Sequence, residues 1–154
     1  MFKLSSLTLA FILLTVFSTV SAQTARLAMT QEHEVEAIKA LFYSAGRKFD
    51  SLDARRKFYD EVLTEDFEAI GADGTHRNKR EFIEAQLRAA LILVTLKIPD
   101  VSIKLNSSST AEVESTFEAT YEDGRIIKIR GRDHLIKDKD KGWQKSRSEI
   151  IKVY

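Results

Sequence analysis

From Ala111 to Ile136, apolar and polar residues alternate along two long runs separated by Glu122-Asp123-Gly124, the pattern of an antiparallel hairpin with one charged face. A three-residue loop sets Glu118 across from Lys128, Glu114 from Arg132 and Glu112 from His134, while Phe117 meets Ile129 and Ala119 meets Ile127. A two-residue loop would place Lys128 and Arg130 across from Ala119 and Phe117, so the frame that pairs acids with bases is chosen. In that frame Asp133 falls on the apolar face, opposite Val113.

Upstream the period lengthens. Val35, Ile38, Phe42, Ala45 and Phe49 recur at spacings of three and four after Thr30-Gln31-Glu32, which reads as a helix cap with acid in the first turn. A second helix starts near Asp53, carries Phe58, Tyr59, Val62 and Leu63 on one side, and ends at Glu65-Asp66. Phe67–Ala72 reads as a short strand stopped by Asp73-Gly74 and followed by a polar loop. Asn78 and Glu81 then form a capping box for a third helix that packs through Phe82, Ile83, Leu87 and Ala90, with Gln86 set inside that apolar face.

Between Leu93 and Leu105 the alternation slips: Leu96 and Ile98 hold one parity, Val101, Ile103 and Leu105 the other, with Pro99-Asp100 at the break. Proline has no ladder donor, so an edge position or a bulge there accounts for the slip and bends the strand. Lys141-Gly142 turns the chain into a last strand from Trp143 to Val153. Three helices, one short strand and four long antiparallel strands define an α+β layer architecture, with helices on one face of a curved antiparallel sheet.

The ends change this picture. Met1–Ala22 has one early cation, Lys3, an apolar run through Leu9–Leu14 and the small-residue close Val20-Ser21-Ala22, the form of a cleaved signal peptide that is short for a bilayer span. The expectation is a signal at 1–22, one domain over 23–154, a secreted or periplasmic location, and no stable membrane insertion after cleavage. Cleavage removes one of the 24 basic residues and none of the 23 acidic ones, so the remainder is formally neutral, which argues against nucleic acid or an anionic membrane as a generic partner. Cysteine is absent, which excludes thiol chemistry, disulfides and cysteine-ligated metals; His33, His76 and His134 are far apart, and no metal or cofactor is expected.

The order helix, helix, Asp66-Phe67 strand, Asp73-Gly74, helix, bulged hairpin sheet, then Arg132-Asp133 and Gly142-Trp143, resembles the nuclear transport factor 2-like superfamily in its SnoaL-like branch, over nearly all of the chain after residue 22. The resemblance implies a cone-shaped fold whose bent sheet wraps the helices and leaves a pocket at the wide end, and a homodimer in many members. Ketosteroid isomerases in this superfamily carry a catalytic aspartate on the first strand region after the second helix. The matching run here, Phe67–Ala72, offers only Glu68 on the opposite parity, so that role does not transfer. An Asp-Arg-Asp trio of the epoxide-hydrolase kind is also missing, because Arg132 and Asp133 point to opposite faces of a strand.

Asp133 is the candidate catalytic residue: among Val113, Phe117 and Leu135 a carboxylate loses hydration and could serve as general acid or base. The bland alternative is a buried ion pair with Arg147, Arg55 or Arg47. Tyr59, Tyr121 and Trp143, each an apolar body with a polar tip, and Gln86 are the candidate ligand-binding residues. His76 reads as a solvated loop residue and His134 as part of the outer face. That face, with Glu112, Glu114, Glu118, Lys128, Arg130 and Arg132, suits either solvent or a polar two-fold interface. Three functions compete: a pocket for a small, mostly apolar molecule; a lyase, isomerase or hydrolase using Asp133; and a structural dimerisation domain. Asn106-Ser107-Ser108 is a glycosylation sequon whose use depends on the host.

Overall fold

The computed structural model describes the backbone from Ser6 and the side chains from Arg26 to Tyr154, so the signal expected at 1–22 lies outside the residues described in full. The chain divides into two compact units, Met1–Glu34 and Val35–Tyr154. Helix α1 (Ser6–Ala45) begins in the first and ends in the second. Thr30 is therefore inside a helix rather than at its start. Its hydroxyl donates to the Arg26 carbonyl at 2.9 Å, a back-bond that a capping residue could not make. Among the described residues no helix is long and apolar enough to cross a membrane.

The second unit continues with α2 (Leu52–Val62), β1 (Leu63–Ile70), β2 (His76–Asn78), α3 (Lys79–Ala90), β3 (Leu93–Leu105), β4 (Thr110–Tyr121), β5 (Ile126–Asp138) and β6 (Gly142–Val153). Ser51 caps α2 by accepting from the Ala54 amide, and Asn78 and Glu81 form the expected capping box on α3. Helix α2 stops earlier than its sequence suggests. Leu63 has turned to the extended conformation, is buried and pairs with Lys145 of β6, which draws the chain into the sheet before Glu65-Asp66.

The six strands run in the order β2-β1-β6-β5-β4-β3. The β4–β5 register matches the acid–base frame read from the alternation: Glu118 faces Lys128, Glu114 faces Arg132, Glu112 faces His134 and Val113 faces Asp133. Gly124 closes the loop at φ +82°, a left-handed conformation that glycine adopts without steric cost. Strand β3 is an edge, and its register with β4 shifts between Lys97 and Asp100, so Pro99 has both the edge and the bulge. Two features depart from the expectation. The sheet is mixed, because β1 enters directly from α2 and lies parallel to the returning β6. The loop before α3 also contains a three-residue strand, β2, antiparallel to β1.

Two apolar clusters hold the unit together. Phe58, Tyr59, Leu63, Phe67, Ile83 and Leu87 join α2 and α3 to β1, while Ile38, Phe42, Val113, Leu135 and Trp143 join the end of α1 to β4, β5 and β6. A buried side chain of this size contributes about 1.5–3 kcal/mol relative to exposure, and with no cysteine in the chain this burial is the main source of cohesion.

Candidate functional site

Asp133 sits on the helix-facing side of the sheet, 3% exposed. Strand β6 supplies both of its partners. Lys145 Nζ lies 3.1 Å from Oδ2, and the Ser148 hydroxyl donates to Oδ1. Residues three apart on a regular strand point to opposite faces; here the β5–β6 register shifts between His134 and Leu135, leaving Ser146 as an extra residue. The bulge brings Lys145 and Ser148 to one face and turns Arg147, across from His134 and Glu68, to the other. The Lys145 ammonium also stands 4.1 Å from the Phe42 ring centroid and 5.9 Å from that of Phe117, so aromatic faces enclose the buried cation.

Beside this pair lies a cavity of about 260 Å³. Its apolar wall includes Ile70, Phe82, Leu93, Phe117, Ile127 and Ile150, and its polar groups include Arg55, Tyr59, Arg77, Gln86, Tyr121, Asp133, Lys145, Ser148 and Glu149. Tyr59 and Arg55 share one side of α2. Tyr59 is nearly buried, edge-on to Phe58 and Phe82, and burial raises its phenol pKa while the Arg55 charge partly offsets the rise. The Gln86 side chain on α3 makes no hydrogen bond among the described residues. Arg125 stands 5.7 Å from the Tyr121 ring centroid.

Four of the five residues singled out from sequence, Asp133, Tyr59, Gln86 and Tyr121, thus line one cavity. Trp143 does not. It is packed in the cluster with Ile38 and Phe42. None of the arginines weighed as partners of Asp133 pairs with it: Arg147 is exposed, Arg47 stands 4.8 Å from the Phe49 ring centroid, and Arg55, on the cavity wall, stands at the same distance from that ring. Lys145, Ser148 and Arg77 were missed. The signal available for the first two was Lys145 three residues before a serine on a strand beside Asp133, which becomes readable only once the bulge is known. Arg77 was hidden in a segment that read as loop.

The remaining charges face outward. Arg132 donates to Glu114 at 2.7 Å, Arg130 also pairs with Glu114, and His134 Nδ1 is 3.9 Å from Glu112. Hydrogen bonds from Arg132 and Arg130 hold the Glu114 carboxyl below its ordinary pKa. Glu68 bonds His76 at 2.6 Å, a contact the solvated-loop reading of His76 did not include. Among the described residues no group of three or more His, Asp or Glu converges as a metal site.

No family model matches the sequence and no curated protein is detectably similar. Solved structures are. A provisionally named scytalone dehydratase from Novosphingobium aromaticivorans superposes with a TM-score of 0.65 at 17% identity, covering 82% of this chain and 90% of that one. A nuclear transport factor 2-like protein of unknown function from Rhodospirillum rubrum gives 0.57 at 16%, covering 75% and 95%. A provisionally named ketosteroid isomerase from Parabacteroides distasonis gives 0.55 at 11%, covering 73% and 83%. At these identities the likeness defines the fold alone, the nuclear transport factor 2-like α+β fold.

Proposed function

We propose that this chain is a binding domain of the SnoaL-like kind, holding a small, mostly apolar molecule in the cavity between α2, α3 and the sheet. The observation that carries this reading is the cavity itself, walled by apolar side chains and fitted with a few convergent polar tips, Tyr59, Gln86 and Tyr121. The structural-domain reading expects that space to be filled by Phe42, Phe117 and Trp143. Phe42 and Trp143 are instead spent in the neighbouring core, and Phe117 is a wall. The catalytic reading needs Asp133 as a working acid or base. Both of its oxygens are engaged and its charge is offset by Lys145, the arrangement of a structural pair.

The proposal includes export, supported by the Met1–Ala22 pattern, and self-association through the outer sheet face, supported by its mixed charges. Native mass spectrometry of the protein purified gently from its own host tests the main claim. The expected result is an extra mass of a few hundred daltons, on the scale of a pocket-sized ligand, that disappears in Ala89→Phe, a substitution that fills the cavity. An unliganded chain in both proteins would contradict it.

A further inference from the structure

The charges of the cavity do not cancel. Asp133 and Lys145 neutralise each other. Glu149 lies across from Arg132, whose guanidinium is held charged first by Glu114 and then, in smaller part, by Glu112 and Glu149. Arg55 and Arg77 are left: both line the cavity and neither forms an ion pair or a side-chain hydrogen bond among the described residues, Arg55 partly buried and Arg77 exposed at the rim, where its charge also acts on Asp73. Arg55 is half-buried, its guanidinium carbon stands 4.8 Å from the Phe49 ring centroid, and its N–H groups have no acceptor among the described residues. A partly buried cation without a carboxylate partner is better satisfied when an anion completes it.

Register places the second arginine. Arg77 faces Ala69, Ala69 faces Ser148, and Ser148 faces Asp133, so the four stand in one row across β2, β1, β6 and β5 on the cavity side. Three strand spacings, about 14 Å, separate Arg77 from Asp133, too far for the two to pair directly. The residue between Arg77 and Ser148 is an alanine, whose methyl leaves the space above the sheet open. Arg55 approaches the cavity from α2.

We infer that the ligand is an amphipathic monoanion, a small carboxylate-bearing apolar molecule whose acid group is held by Arg55 and Arg77 and whose body lies against Phe82, Phe117, Ile127 and Ile150. This rests on the binding reading above and adds its chemical class. Guanidinium is the side chain best matched to carboxylate, because its paired N–H groups donate to both oxygens. Tyr59 and Gln86 remain as neutral donors for a second oxygen on the ligand.

A matched probe pair decides the matter: 2-naphthoate and 2-naphthylmethanol share one ring system and differ in charge. Titrated calorimetrically into the full chain, the acid is expected to bind at least about tenfold more tightly than the alcohol, the size of a charge-assisted hydrogen bond. Arg55→Gln and Arg77→Gln should each remove most of that advantage, bringing acid and alcohol towards equal affinity, in chains whose cooperative melting reports that the variant is folded. Rising ionic strength should weaken the acid and spare the alcohol. Equal affinities in the native chain would overturn the anionic ligand while leaving a binding pocket in place. Binding of neither probe would overturn both.

Discussion

The two faces of strand β5 use the same chemistry in different surroundings. On the outer face Arg132 and Arg130 meet Glu114, partly exposed and across a regular register. On the inner face Asp133, one residue away, meets Lys145 and Ser148 almost without solvent, across a bulge. An exposed pair is screened and interchangeable, whereas a buried one becomes a requirement, because removal of either partner strands the other. A charge constrains the fold on the inner face and only decorates it on the outer one.

The comparison breaks most sharply at Lys145. Lys145→Met leaves the Asp133 carboxylate buried without its cation and should cost about 3–5 kcal/mol in chemical denaturation, the range for breaking a buried pair. Adding Asp133→Asn should recover most of that loss. At the α3 cap, Asn78→Ala removes the side-chain acceptor of the Glu81 amide and should cost about 1 kcal/mol, read in the same assay.

Two smaller effects sharpen the contrast. Tyr59 has a raised phenol pKa, so its contribution is fully present below the ordinary tyrosine range and lost as pH climbs through and above it. Tyr59→Phe should therefore flatten the alkaline fall in melting temperature. Glu114 has the opposite sign. Its lowered carboxyl contributes above the ordinary glutamate range and is lost on acidification, so Glu114→Gln should reduce the acid sensitivity, by less than the Lys145 variant changes stability at neutral pH, and the effect should fade in high salt.

Much of the outer face was legible in the sequence because a two-residue period, a three-residue loop and acid–base matching leave one register, and Asp133 stood out as the residue that broke it. The capping box and the Pro99 bulge were legible for a similar reason: each has a local chemical mark. What the sequence hid was non-local. The parallel pairing of β1 with β6 joins segments separated by most of the domain, and neither carries a mark naming the other. The bulge at Ser146 has no proline or glycine to announce it, so nothing local marks Lys145 and Ser148, rather than Arg147, as the neighbours of Asp133. Thr30 shows the limit at a helix end, since a capping residue type remains compatible with an interior position when the helix continues behind it.

Asp133 and Lys145 form part of the cavity wall, while recognition belongs to other groups. The affinity of 2-naphthoate for the double variant Asp133→Asn/Lys145→Met tests it most directly, because Lys145 is the one cation of the cavity that the account excludes from binding the acid. Affinity within about threefold of the native chain is predicted, since the neutral pair replaces a pair whose charges already cancelled. A tenfold or larger loss in a chain that still melts cooperatively would contradict the account and make the Asp133–Lys145 pair the recognition site itself.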